Sequence, residues 1–185
     1  FFHSLRTDIK TPKGKIVSRR PHLVIAGGFV RDLLMDKKPK DIDFATSVDY
    51  ETLRPAINKY FARDIDEGRM LIKETGARYK VMRLHFRDDQ GKFTQEYEIA
   101  SFRIDEDYQD GRRPERVRPV RFAGIDAKRR DITINALFYN PFSGNVIDYV
   151  EGMKDIEDKQ LRFVGNPEKR ITEDYMRMLR FIRFL

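Results

Sequence analysis

The sequence predicts an α+β fold, with alternating strands and a few helices up to residue 150 and a helical segment after it. Three observations carry this expectation. The stretches 41-DIDFAT-46, 78-RYKVMRLHF-86 and 93-FTQEYEIASFRI-104 alternate polar and apolar residues with the period of two that marks half-buried strands. Residues 49–60 repeat instead at helical spacing. From Glu151 onward helical patterns dominate.

In chain order, residues 1–22 carry several Lys and Arg with Pro12 and Gly14, show no sustained period, and read as a basic lead-in. The apolar run 23-LVIA-26 ends at Gly27-Gly28, as a buried strand entering a turn does. Residues 29–35 read as a helix. Pro39 closes the loop before 41-DIDFAT-46, whose strand pattern points Asp41 and Asp43 to one face and Ile42 to the other. In 49–60, Asp49 is the expected first cap, with Leu53, Ile57 and Tyr60 along one side. The strands at 78–86 and 93–104 flank 87-RDDQG-91, which signals a hairpin. Residues 105–125 are charged, Arg-rich and aperiodic, the pattern of a mobile or ligand-ordered loop. A helix is expected over 126-DAKRRDITINAL-137, then two short strands around Pro141 and Gly144. The helical part is interrupted at 161-LRFVGNP-167 and resumes in 173-EDYMRMLRFIRFL-185, whose apolar face needs a partner; a longer natural protein is therefore expected. The domain division read from these patterns is 1–22, 23–150 and 151–185.

Composition narrows the function. A chain of 185 residues can bury one substantial core and a second small lobe. With 37 Lys and Arg against 30 Asp and Glu, the net charge of +7 attracts polyanions, so nucleic acid or nucleotide is the first partner to consider. The chain has no cysteine, which excludes disulfides, thiolate metal sites and cysteine catalysis. Its three histidines, His3, His22 and His85, form no ligand pair at helical spacing. No apolar run is long enough to span a bilayer and no signal-peptide core occurs, so no membrane partner is expected and a cytoplasmic location is the default.

Two groups of residues could carry chemistry. Gly27-Gly28 at a strand end before a helix allows close backbone approach to an anion, and Arg31 adds a forked donor for phosphate; a tight turn with a solvated arginine is the alternative. Asp41 and Asp43 on one face offer hard oxygen ligands suited to Mg²⁺, which keeps waters and substrate phosphate oxygens in its shell; two solvent-facing aspartates on an edge strand are the alternative.

The series GG-x-VRD-(x)8-D-x-D, 129-RRDITINALFY-139 and 173-EDYMRMLRFIRF-184 resembles the class II nucleotidyltransferases, which include the tRNA CCA-adding enzymes and bacterial poly(A) polymerases, within the polymerase-beta-like superfamily. The likeness covers residues 23–185. It implies a polymerase-beta-like head over 23–150, with a mixed, mostly antiparallel sheet and flanking helices. Residues 151–185 would begin a helical neck that recognises the base, with the body and tail absent. It further implies that Asp41 and Asp43 hold two catalytic Mg²⁺ ions, and that Gly27, Gly28 and Arg31 face the triphosphate. Arg130, Asp131 and Asn135 would contact ribose or triphosphate, with Arg129 beside them. Glu98 falls where the superfamily has a third acidic residue and is a further candidate metal ligand. Arg103, Arg112 and Arg113 lie in or beside the loop that the family uses to couple nucleotide and primer.

In 173-EDYMR-177, Asp174 and Arg177 stand at i and i+3, a spacing that shares one helical face. A carboxylate accepts hydrogen bonds and a guanidinium only donates. Such a pair matches the amine-beside-acceptor edge of cytosine and adenine and opposes the edge of uracil and guanine. With Glu173 it forms the base-recognition motif that the resemblance implies, and an ordinary surface ion pair is the alternative. ATP and CTP are thus the expected substrates and the tRNA 3′ end the expected acceptor, with poly(A) addition to RNA or an A-only tRNA reaction as the close alternatives. The sequence leaves the oligomeric state open.

Overall fold

The computed structural model describes residues 1–10, 16–76 and 79–185. Strands β1 (Thr7–Lys10) and β2 (Ile16–Arg19) pair antiparallel. They are followed by β3 (Leu23–Ala26), helix α1 (Gly28–Leu34), β4 (Asp43–Thr46), α2 (Tyr50–Tyr60), α3 (Ala62–Asp66), β5 (Met70–Thr75), β6 (Val81–Arg87) and β7 (Phe93–Ser101). Next come β8 (Arg103–Tyr108), β9 (Pro114–Pro119), α4 (Ala123–Lys128), a 3-10 turn (Thr133–Asn135), β10 (Phe138–Asn140) and β11 (Asn145–Ile147). Helices α5 (Gly152–Glu157), α6 (Pro167–Glu173) and α7 (Met176–Ile182) complete the chain. No helix among the described residues is long and apolar enough to cross a membrane.

Among the described residues, seven strands form the main sheet in the order β11-β10-β3-β4-β7-β6-β5, antiparallel except where β4 runs parallel to β7. Alternation divides each strand between the two faces. One face carries Ile99, Met82, Leu84 and Met70, which pack with Leu53 and Ile57 of α2, and α1 covers the same side at Ile25 through Val30. The other face is closed at the β3–β4–β10 end, where Val24, Ala26, Ala45 and Phe138 meet Phe102, Ala127 and Val164. Beyond that cover the same face presents Asp43, Glu98 and Arg83, and this step from covered to open sheet is what positions the site.

Several expectations need correction. Residues 1–22, read as aperiodic, contain the β1–β2 pair, and Phe1, Phe2 and Leu5 pack against the α2 cluster; Pro12 and Gly14 lie outside the described residues. So does the expected start of a strand at Arg78. Residues 105–125 are not a loop: β8 and β9 pair antiparallel, their alternation hidden because charged side chains occupy both faces. The helix expected over 126–137 ends at Lys128, after which the Asp131 side chain accepts from the Ile132 N–H (2.8 Å) and the chain turns through the 3-10 segment. Asp41 precedes the strand that begins at Asp43. Tyr60, placed on the buried side of its helix, is 56 % exposed and leans on Phe1 and Phe61.

The helical segment is tied to the sheet domain by a polar knot. The Thr133 hydroxyl donates to Asp155 (2.5 Å), Arg162 Nε donates to both Asp155 oxygens (2.7 and 2.9 Å), and Gly152 lies against the Thr133 carbonyl. Phe163 and Phe181 stack at 4.5 Å, which seats α7 on the 161–165 stretch. Met176, Met178, Leu179 and Ile182 stay exposed.

Candidate active site

The site begins where β3 ends. Gly27 has φ +73°, in the region that favours glycine, and a Cβ there would stand 3.2 Å from Arg130 Nη1. Its N–H donates to the Leu137 carbonyl (3.0 Å), fixing the turn from β3 into α1. Gly28 opens α1 beside the Arg31 guanidinium. Arg31 is not free: it donates to Asp32 (2.6 and 2.9 Å) and to the Asn135 amide oxygen (2.5 Å), and lies 4.7 Å over the Phe184 ring.

Asp43 starts β4 directly opposite Glu98 on β7, and Ile42 turns the other way into the apolar cluster of Ile25, Val30 and Leu137. Asp41, Asp43, Glu96, Glu98 and Arg83 line one open cavity of about 400 Å³. Partial burial at the sheet face, reinforced by the negative charges of Glu98 and Asp41, raises the Asp43 carboxyl above its ordinary range; Arg130 and Arg83 pull it back. Among the described residues no group of three or more His, Cys, Asp or Glu side chains forms a metal-holding cluster. The donor set of Asp41 and Asp43 nevertheless fits Mg²⁺, which needs only one or two carboxylates when water and phosphate oxygens complete its shell. Their mutual repulsion is what such a cation relieves. Glu98 is engaged elsewhere, 2.5 Å from Arg83 Nη2.

A second group forms around Asp126, which is 1 % exposed. Its Oδ1 accepts from the Arg103 backbone N–H (3.1 Å) and Arg129 Nε (2.8 Å), and its Oδ2 from Arg130 Nε (3.2 Å) and Nη2 (3.0 Å). Burial would push this carboxyl up, but Arg130, Arg129 and the Arg103 N–H outweigh it and hold it below the ordinary range. Arg130 also reaches the Asn135 carbonyl (3.3 Å), and Arg129 reaches Asp105 (3.3 Å). Arg103 pairs with Asp105 (3.1 Å) and covers Tyr79.

The residues expected to read the base are brought together differently from the sequence expectation. Asp174 and Arg177 do not share one helix: α6 ends at Glu173 and Asp174 is extended, its Oδ1 accepting from the Met176 N–H (3.0 Å) at the start of α7. A side chain that offers its own turn competes with continuous helix at that point. Asp174 pairs with Arg180 (2.7 Å), which also contacts Asp131 (2.9 Å). Arg177, 5 % exposed, donates to Glu173 (2.6 Å), the Arg170 and Arg129 carbonyls (3.1 Å each) and the Tyr108 hydroxyl (3.3 Å). Asp174, Arg177, Arg129, Arg130, Asp131, Arg103 and Arg112 all line a cavity of about 260 Å³. The backbone N–H groups of Arg112 and Arg113 both donate to Asp110 (2.9 and 2.7 Å) at the β8–β9 turn, and Arg113 stays outside that cavity. The turn is held to the 173–177 segment by the Tyr175 N–H, which donates to the Gly111 carbonyl (2.8 Å) while the Tyr175 ring covers Gly111.

The carboxylate cavity and the arginine cavity share no lining residue; Arg130 connects them through its charge on Asp43. A larger cavity, about 960 Å³ between residues 149–151, 161–167 and Phe181, contains none of the residues expected to be functional. Sequence reasoning passed over Asp126, Asp105, Tyr108, Arg180 and Arg83. Asp126 was legible, standing three and four residues before Arg129 and Arg130. The others meet the site only through tertiary contacts.

A profile of the poly A polymerase head domain matches residues 23–162. The chain belongs to this family. It is similar to the CCA-adding enzyme of Ligilactobacillus salivarius, 37 % identical over 158 residues, which covers 85 % of this chain and 34 % of that protein. It is also similar to human mitochondrial CCA tRNA nucleotidyltransferase 1, 38 % identical over 187 residues, covering 99 % of this chain and 39 % of the relative. Among solved structures, the Bacillus stearothermophilus CCA-adding enzyme in complex with CTP aligns at a TM-score of 0.66 and 30 % identity, over 89 % of this chain and 34 % of that one. A tRNA nucleotidyltransferase complexed with a primer tRNA and an incoming ATP analog aligns at 0.60 and 26 % identity, over 89 % and 41 %. This poly A polymerase head therefore spans roughly a third to two fifths of the length of the relatives it matches.

Proposed function

We propose that this head domain is the catalytic part of a template-independent RNA nucleotidyltransferase that transfers CMP and AMP from CTP and ATP to the tRNA 3′ end, releasing pyrophosphate. Residues 23–150 act as the catalytic head and 151–185 begin the part that recognises the base. The observation that carries the reading is that Arg130, which lines the arginine cavity together with Asp174 and Arg177, also acts through its charge on Asp43 in the carboxylate cavity. The names of the similar proteins, and the CTP, ATP-analog and primer tRNA bound to two of them, agree with it.

In this proposal the turn at Gly27-Gly28, with Arg31, Arg129 and Arg130, orients the triphosphate, and Asp131 and Asn135 contact the ribose. Mg²⁺ held by Asp41 and Asp43 supplies charge stabilisation for the attacking hydroxyl and the departing pyrophosphate. The remaining contribution is positioning in a partly dehydrated site. Asp174 and Arg177 choose the base, and because both are paired in the free protein, a base must exchange with Arg180 and with Glu173 or Tyr108. The arginines of the β8–β9 hairpin, Arg112 and Arg113, face the RNA, and the enzyme works in the cytosol.

The test is to incubate the full-length protein with Mg²⁺, labelled CTP or ATP, and either tRNA lacking its 3′ end or an unstructured RNA. Growth of the tRNA by three residues is expected. Long A tails would move the assignment to poly(A) addition, a single A to the A-only reaction, and extension of neither RNA refutes the proposal.

A further inference from the structure

The register of the main sheet places Asp43, Glu98, Arg83 and Lys73 in one row across β4, β7, β6 and β5 on the open face. Neighbouring strands lie about 4.8 Å apart, so Glu98 can reach Asp43 on one side or Arg83 on the other. It takes the arginine: Arg83 Nη2 stands 2.5 Å from Glu98, and Arg83 Nη1 lies 3.7 Å from Glu96. Glu96 is also contacted by His85 (3.2 Å). The acids on β7 are thus drawn away from β4 by Arg83 and His85 on β6, whereas Asp41 and Asp43 face the cavity with no ion pair of their own among the described residues.

We propose that Arg83 is a positioning residue that keeps Glu98 out of the metal shell, so that the site binds its cation through two carboxylates, Asp41 and Asp43. This rests on the metal role given to those aspartates above. A guanidinium is always charged, so it competes steadily for Glu98. The consequence is functional. A third carboxylate would bind the ion more tightly but occupy a position needed by a triphosphate oxygen or the attacking hydroxyl.

The test uses the intact, nucleotide-free protein and Mn²⁺, with free Mn²⁺ followed by electron paramagnetic resonance. Asp43→Asn is expected to abolish binding. Arg83→Met should tighten it roughly tenfold, since one opposing charge leaves and Glu98 is released, and Arg83→Lys should restore values near those of the original protein. In transfer assays Arg83→Met should lower kcat while leaving the nucleotide KM unchanged. The charge-neutral pair Arg83→Gln/Glu98→Gln should bind Mn²⁺ within about threefold of the original, whereas loss of a true ligand would weaken binding by about tenfold or more. That larger loss, or an Arg83→Met affinity equal to the original, overturns the role of Arg83. Mn²⁺ binding that survives Asp43→Asn instead refutes the metal role of the aspartates.

Discussion

Replacing Asp126 by asparagine removes the charge on which Arg129 and Arg130 converge while leaving the side-chain volume unchanged. Four hydrogen bonds reach the carboxylate, three of them from guanidinium nitrogens. Breaking a buried pair by removing one partner costs about 3–5 kcal/mol, and the remaining amide oxygen returns roughly 1 kcal/mol as a neutral acceptor. A net loss of about 3 kcal/mol is expected, a fall in Tm of roughly 6–12 °C for a chain of this size. The sign of the pH dependence follows from the depressed carboxyl. A folded-state value below the unfolded one gives stability that is full above the unfolded value and is lost as pH falls through the folded one. The gap between the two proteins should therefore be widest near neutrality and narrow in acid. Urea unfolding at neutral and acidic pH measures it. A neutral-pH loss under about 1 kcal/mol, the value of an exposed pair, would show that the arginines do not depend on Asp126.

Three further outcomes are expected. Asp43→Asn should abolish nucleotidyl transfer yet stabilise the metal-free protein at pH 7: its raised carboxyl costs the folded state once ionised and costs nothing below the unfolded value. Screening at this accessible position limits the gain to roughly 1–3 °C in Tm, and a gain that does not shrink in acid would contradict the assigned cause. Gly152→Ala pushes a Cβ into the Thr133 carbonyl and should cost about 1–3 kcal/mol in thermal unfolding; an unchanged Tm would mean α5 shifts freely. Arg177→Lys keeps the charge but loses the fork, so discrimination of CTP and ATP against UTP and GTP should fall by about tenfold. Discrimination that persists while Tm drops would leave Arg177 a purely structural residue.

The parts of the fold that were legible in the sequence are those with a clear apolar pattern. β3 was legible as an unbroken apolar run buried on both faces, and α1, the Asp49-capped α2 and the β6–β7 hairpin show one apolar face. The β8–β9 pair does not, because Arg103, Asp105, Glu106 and Arg118 satisfy one another in pairs rather than by burial against a core. β5 is half apolar and half polar, and it finds its place only through β6. The helix expected over 126–137 was broken by polar groups: Asp131 accepts from the next backbone N–H and pairs with Arg180, and Thr133 donates to Asp155, bonds that propensity does not register. At the site, the residue types were legible and the pairings were not. The sequence joins Asp174 to Arg177 by spacing, whereas Asp174 takes Arg180 and Arg177 takes Glu173.

The parallel pairing of β4 with β7 joins two strands separated by α2, α3, β5 and β6. The β5–β6–β7 meander assembles from neighbours in sequence, but the β4–β7 seam must wait for a long crossover to close, and such distant contacts form late. Asp43 and Glu98 meet only at that seam. Mutually repelling acids are thus kept apart during collapse, and the chain gathers them once the surrounding sheet can hold them. Amide hydrogen exchange should accordingly find β4 less protected than β6, this seam being the last to close and the first to open.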